Sequence, residues 1–558
     1  MQKTFLLLFV ILFLTQNHFA QNCAPTTAFT FLEANRAKAG LLNGGDFFWD
    51  LNSGQYYVPA DSITKCIFAG ALWLGGVDAM DNLHVAAQTY RQTGNDYWAG
   101  PLDNNGNIDE ANCGLFDRFW KTTSADIDAF LTTYAQNPTN ITAEDVPESL
   151  LQWPAKGNPH FTDFSLPNQD LAPFFDANSD GLYNPLNGDF PTIRPYSQAY
   201  ADQMIWWIFN DVGNIHTETG GLPLGMEVGA LAYAFADDAF LEYQTFYRLT
   251  LRYKGSEPLI DFVAGLFVDP DLGNYQDDFV GCDTLHNIGF VYNGDAMDEG
   301  SAGYGAAIPA VGVQVLEGIK NNEGIDNKMS GFVYYNNNFT PQGNPETTKD
   351  FYSYLQNKWK DGTPFTYGGD GYGGDTPTNY MFPGEPCNPN GWSEGVEDNT
   401  PEDRRFLLSS GNTTLFPQQE QIFHFAVLYA KPELLNYPCP AMPFWADFSE
   451  KTDSLVQVIN TVEEPLGIAQ TNILLTPDIR INSPVQDYFY IHTANAPMET
   501  YRLKLYNVQG ALVSDILYQN EKNTTILKRP ANLLKGIYFY TIESAENERR
   551  INGKIMLD

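Results

Sequence analysis

The chain has 558 residues, with 31 Lys and Arg against 68 Asp and Glu and a formal net charge of −37. A surface that negative repels phosphate backbones and anionic membrane faces, which excludes nucleic-acid binding and electrostatic membrane attachment. With 43% hydrophobic and 14% aromatic residues the chain can pack a core, and its 47 Gly and 34 Pro beside 31 Tyr and 38 Phe favour strands joined by many turns.

In chain order, Lys3 precedes an unbroken apolar run from Phe5 to Leu14, then polar Gln16 and Asn17 and small Ala20. This predicts a cleaved export signal over 1–20, too short for a span of about 20 apolar residues and leaving no transmembrane anchor in the mature chain. Residues 21–165 read as mixed but mainly β. Within them Ile127, Phe130, Leu131 and Tyr134 predict a helix capped by Ser124. Residues 166–440 read as a β-sandwich body with acidic loops. Met204 to Phe209 and Phe262 to Val268 predict buried strands. In Tyr243 to Tyr253, Tyr247, Leu249 and Leu251 face one way and Arg248, Thr250 and Arg252 the other. Residues 321–399, rich in Gly, Asn, Pro, Asp and Tyr, predict long ordered loops with few strands, and strand character returns at Arg405–Leu408 and Ile422–Tyr429. A helix is predicted at Phe444–Asn460, within a helix and linker over 441–471.

Residues 472–558 divide into about seven short strands at sandwich-like spacing, the first at Leu474–Leu475. The fold class predicted is all-β: a jelly-roll-like sandwich body with long loops and few helices, followed by an immunoglobulin-like C-terminal sandwich. Cys23, Cys66, Cys113, Cys282, Cys387 and Cys439 permit 15 pairings, and their spacing selects none.

The C-terminal part carries four ordered elements: Ile481 to Tyr488 around Asn482-Ser483-Pro484, Leu505-Tyr506-Asn507-Val508-Gln509-Gly510, Leu534-Lys535-Gly536-Ile537-Tyr538-Phe539, and Gly553-Lys554-Ile555-Met556. These resemble the type A C-terminal sorting domain of cargo of the type IX secretion system of Bacteroidota, with Asn482-Ser483 where the family has Pro-Asn. The resemblance implies that residues 472–558 engage the outer-membrane secretion machinery. It places the protein outside the cell or on the outer-membrane surface after periplasmic transit, the tail being removed or exchanged for a lipopolysaccharide anchor. The body resembles uncharacterised exported proteins of the same group in Gly70-Ala71-Leu72-Trp73-Leu74-Gly75-Gly76, Val268-Asp269-Pro270-Asp271-Leu272-Gly273 and Asp403-Arg404-Arg405-Phe406. That likeness implies no activity.

Two acidic segments are candidate calcium sites. Asp176, Asn178 and Asp180, with Gly181 at the sixth position and the Leu182 carbonyl, form the first half of a D-x-[DN]-x-[DN]-G loop. Asn187 stands where a bidentate acid belongs, and Asp189 can close the shell instead; the alternative is an Asx-rich turn. Asp269, Asp271, Asp277, Asp278 and Asp283 crowd a turn after a buried strand, where a cation relieves their repulsion. A solvated acidic loop and an acid–base carboxylate pair are the alternatives there. Tyr367 to Asp375 lacks the Lys-Ser/Thr of a phosphate loop. Gly391-Trp392-Ser393-Glu394-Gly395 fits a nucleophile elbow in letters but follows turn formers. His84, His160, His216, His286, His424 and His492 form no HExxH pair.

The resulting expectation is an exported, calcium-stabilised, non-catalytic binding or adhesin-like β-protein with a carbohydrate or surface ligand. A secreted polysaccharide-acting hydrolase using Asp/Glu pairs is the alternative, and a structural part of a surface assembly is a third reading.

Overall fold

The structure is a computed structural model describing residues 22–236, 240–435, 443–460, 478–481, 488–494, 500–506, 512–519, 523–530, 533, 535–544 and 550–557. The expected signal segment and the strand expected at Leu474–Leu475 lie outside the described residues, as do the turns expected at Asn482–Asp487 and Asn507–Gly510. The chain divides into two compact units, Met1–Glu464 and Pro465–Asp558.

The first unit is built on two large antiparallel sheets. One runs in the order Gly331–Asn336, Arg404–Leu415, Leu259–Asp269, Ala69–Val77, Asp46–Phe47, Lys38–Leu42, Tyr56–Tyr57, Lys65–Ile67. The other runs Asp278–Asp283, Ile288–Asn293, Ala310–Glu317, Glu420–Ala430, Thr245–Tyr253, Met226–Ala234, Gln203–Asn210, Trp98–Ala99. Strands from both sides of residue 165 pair within each sheet, so the stretches 21–165 and 166–440 share one body.

Side-chain alternation assigns each face. Tyr247, Leu249 and Leu251 enter the core between the sheets, whereas Phe246 enters a second core on the opposite face. The run Met204–Phe209 is unbroken because it serves both: Ile205, Trp207 and Phe209 pack into the first core, Met204, Trp206 and Ile208 into the second. That second core is closed by helices Ser124–Gln136 and Pro443–Asn460 through Ile127, Phe130, Phe448 and Ile459. The cap of the first of these helices is Thr123, whose hydroxyl accepts from the Asp126 amide, and Ser124 is the first helical residue. The 321–399 segment consists mainly of loops with few strands, and it also holds a helix. Gly331–Asn336 joins the first sheet, and Thr348–Leu355 forms a helix under a capping box made by Thr347 and Asp350.

That helix lies close on the first sheet because Gly75 and Gly265 leave room: a Cβ at either would come within 2.7 Å of Tyr352 or Leu355. Beneath it Phe267 stacks on Trp73 (5.5 Å) and lies near-parallel to Tyr335 (6.3 Å), which stacks on Tyr354 (5.2 Å). Cys23 and Cys113 form a disulfide, Cys387 is also disulfide-bonded, and Cys66 and Cys282 are buried free thiols.

The second unit pairs Asp478–Ile481, Tyr488–Ala494 and Asn523–Lys528 in one sheet and Leu512–Gln519, Thr500–Tyr506, Gly536–Ser544 and Arg550–Leu557 in another. Phe489, Ile491, Leu503, Leu505 and Ile542 fill its core.

Phe267→Ala removes the centre of the aromatic stack. The expected cost is about 3 to 5 kcal/mol, read as a lower denaturant midpoint with unchanged slope.

Candidate functional site

A cleft of about 750 Å³ opens on the face of the first sheet that carries helix Thr348–Leu355. Two strands supply its floor. On Leu259–Asp269 the pleat that aims Phe267 into the aromatic stack aims Asp269, two residues on, to the same face. The neighbouring strand pairs Phe406 with Val268, which sets Arg405 beside Asp269, and Asp403 immediately precedes that strand. Asp271 follows through Pro270. One carboxylate oxygen each from Asp269, Asp271 and Asp403 lies within 4.8 Å of the others, the one such converging acidic group among the described residues.

The polar contacts are directional. Tyr90 Oη donates to Asp269 Oδ2 (2.7 Å) and accepts from Arg405 Nε (2.8 Å). Arg405 Nη1 pairs with Asp403 Oδ1 at 2.9 Å, and Asn337 Nδ2 donates to Asp403 Oδ2 at 3.1 Å. Asp269 is only 3% exposed, and its Oδ1 has no hydrogen-bond partner. Tyr90 is aimed by its neighbour Arg91, held at φ +50° with its guanidinium donating to Asp46 (2.9 Å), the Thr26 carbonyl (2.7 Å) and the Asn43 carbonyl (2.6 Å). Tyr275, Tyr335 and Phe339 add aromatic surface to the walls.

Three carboxylates share one guanidinium, so charge is out of balance. Burial raises the Asp269 and Asp271 carboxyls. Asp271 also has Asp269 and Asp403 as like-charged neighbours, whereas Arg405 opposes the rise more strongly at Asp269. Glu218, on the wall, is pushed up to about 7 chiefly by burial, although the Thr89 hydroxyl and the Gly94 amide (3.1 Å) donate to it.

The other expected acids are spread more widely. Asp278 accepts the Leu272 amide at 3.1 Å and Asp277 accepts Asn274 Nδ2 at 3.0 Å; the second oxygen of each is buried without a partner. Both brace the turn after Asp271, together with Asp298, which accepts from the Asn274 and Tyr304 amides. Asp283, at the opposite end of its strand from Asp278, accepts the Leu285 and His286 amides and faces His286 Nδ1 at 2.6 Å. In the other loop, Asp176 accepts the Asp180 (3.2 Å) and Gly181 (2.7 Å) amides, Asn178 accepts the Asp180 amide (3.2 Å), and Asp180 accepts the Leu182 amide (2.8 Å). Asp189 reaches back into that loop, accepting Ala177 and Asn184 amides at 2.8 Å each, and burial pushes it up to about 7.

Reading the residues in order missed Tyr90, Glu218, Asp403 and Arg405. Asp403-Arg404-Arg405-Phe406 stood out as a phrase, but only strand pairing brings it to Asp269. Ser393 hydrogen-bonds the Pro386 carbonyl at 2.8 Å, and Glu394 is buried against Arg404 at 2.6 Å, so the Gly391–Gly395 segment is a structural turn.

Residues 483–557 match the family model described as a secretion system C-terminal sorting domain. No curated protein matches the chain. Among solved structures, a polysaccharide lyase aligns over 59% of this chain and 34% of its own length, at 10% identity and TM-score 0.18. The chain thus spans about a third of that lyase. A C-terminally truncated trimeric ectodomain of the C. elegans fusion protein EFF-1 aligns over 96% of each chain at 9% identity and TM-score 0.12. At these scores neither likeness carries an argument.

Carboxyls with native pKa values above their unfolded ones bind extra protons when folded, so they stabilise at low pH and lose that contribution as pH rises through the native pKa. Glu218 and Asp189, each raised to about 7, and Asp277, raised to about 6, act this way. His424, lowered by burial, acts oppositely. In EDTA the melting temperature should therefore fall between about pH 5.5 and about pH 8. Scanning fluorimetry across that range checks this.

Proposed function

Because the chain carries a type IX secretion sorting domain and is exported to the cell surface or the extracellular space, we propose that its body is a calcium-stabilised binding module whose cleft takes a saccharide-like, hydroxyl-rich ligand. The observation that carries the reading is the convergence of Asp269, Asp271 and Asp403 on the cleft floor, with Asp269 Oδ1 buried and unpartnered. Calcium takes six to eight oxygens, so three carboxylates form a partial shell that ligand hydroxyls or water complete. The polar rim of Asn337, Asn344 and Gln92 and the aromatic surfaces of Tyr275 and Phe339 suit a sugar, which presents hydroxyls at its edge and an apolar face. The loop from Asp176 to Leu182, closed by Asp189, is the proposed second calcium position, there to hold a surface turn.

A second reading has its own support. Asp271 is raised by burial and by two like-charged neighbours, while Asp403 pairs with Arg405 at 2.9 Å. A buried carboxyl of raised pKa beside a second carboxylate paired with an arginine is the kind of acid pair a glycoside hydrolase uses.

Titration of the metal-free protein with calcium separates the readings. Calcium at about 100 times its Kd should add about 2.7 kcal/mol of stability. Asp269→Asn should remove the cleft component of that gain, whereas Asp180→Asn should leave it. An unchanged melting temperature with EDTA or calcium would defeat the cation proposal. A polysaccharide screen scoring both retention and released reducing ends decides the rest. Retention without product supports the binding module; product that disappears in Asp271→Asn supports the hydrolase.

A further inference from the structure

A second pocket lies on the far side of the second sheet, away from the core between the sheets. Strand Thr245–Tyr253 turns Arg248, Thr250 and Arg252 to that face. Its neighbours place Gly229 and Ile422 opposite Thr250, and Leu231 opposite both Arg248 and Trp206. Phe174 and the segment Ile193 to Tyr196 close the walls around about 350 Å³, within the size range of small-molecule sites. Gly229 keeps the floor open: a Cβ there would come within 3.3 Å of an Arg252 guanidinium nitrogen.

Lys156, Arg194, Arg248 and Arg252 all line this pocket, in a chain with only 31 Lys and Arg against 68 acids. Two of the four are neutralised locally. Lys156 pairs with Asp170 at 3.1 Å, and Arg252 pairs with Glu420 at 3.1 Å and Glu227 at 3.3 Å. Asp176, another lining carboxylate, accepts amides of its own loop.

Arg194 and Arg248 are left with one carboxylate between them. Arg248 is 8% exposed; Nη1 donates to Thr250 Oγ1 at 3.3 Å, and Nε has no hydrogen-bond partner. Glu317 Oε2 is 3.9 Å from that Nε, beyond hydrogen-bond reach, and lies nearer to His424 Nδ1 at 3.4 Å. Arg194 Nη1 donates to Asn460 Oδ1, and its Nε is also buried without an acceptor. Carboxylates match the cations around the pocket as a whole, so what is unmet here is hydrogen bonding: two guanidiniums each keep a buried Nε–H without an acceptor beside one shared carboxylate. A buried donor without an acceptor is costly, and a planar oxyanion is the group that guanidinium forks fit.

We propose that this pocket binds a small organic anion, a carboxylate or sulfate carried on a single sugar-sized ring. The oxyanion sits between Arg194 and Arg248, and the ring packs against Trp206, Phe174 and Tyr196. The site is separate from the acidic cleft and stands whether or not that cleft holds calcium.

The test is calorimetric titration of the full chain at low salt with glucuronate, glucose 6-sulfate, inorganic sulfate and glucose. Either charged sugar should bind, with inorganic sulfate weaker and glucose silent. Arg248→Met and Arg194→Gln should each weaken the charged sugar by about tenfold or more, the loss of a charge-assisted contact. Arg194 is only half-buried, so its variant remains readable if the Arg248 variant does not fold. The proposal is overturned if no anion binds, if glucose binds as tightly as glucuronate, or if a folded variant of either arginine leaves affinity unchanged.

Discussion

A β-strand returns to the same face every second residue, and in the strand Leu259–Asp269 this rule sets the chemistry of the first sheet. Gly265 admits the covering helix, Phe267 fills the aromatic stack beneath it, and Asp269 is carried to the edge of that stack, where water is scarce. The carboxylate cannot be moved outward without flipping Phe267 out of the core. Everything else at the cleft answers to that placement. Tyr90 donates to it, Arg405 donates to Tyr90 and forms a longer ion pair with Asp269, Asp403 shares the guanidinium, and the turn after Asp271 is braced by Asp278 and Asp298.

The excess of acid has a structural use as well as a cost. Asp50, Asp78, Asp103, Asp361 and Asp370 each accept a backbone amide two residues ahead, closing the turns that join the strands. Several of the few basic residues are held in buried pairs, such as Arg91 with Asp46 and Arg404 with Glu394. Against that background two places stand out. The cleft of the first sheet has more carboxylates than its one guanidinium offsets, and the pocket behind the second leaves the Nε–H of Arg194 and of Arg248 without an acceptor. A net charge of −37 says nothing about either, because both are local.

The same local reasoning separates features that look alike in sequence. Asp283 belongs to the same run of aspartates as Asp277, yet it closes a turn with His286 at the far end of its strand. Ser393 sits in a nucleophile-like string but donates to a backbone carbonyl. Residues 331–336 and 348–355 lie in a stretch whose composition reads as loop, and they order because one gains a strand partner and the other a glycine-lined seat.

Taken alone, the sequence determined the all-β class, the alternation of Thr245–Tyr253, the two long helices and the sorting tail, because periodicity and short turn motifs are local properties. It also marked Asp269 and Asp271, since acids that follow a buried strand through Pro270 are conspicuous in one dimension. Tertiary structure alone decided that Asp403 and Arg405 complete the cleft, that Met204–Phe209 serves two cores, and that Arg194 meets Arg248. Those meetings depend on strand register and layer packing between distant segments, and the physical cause is that nothing in the spacing of residues along a chain encodes which strands will lie side by side.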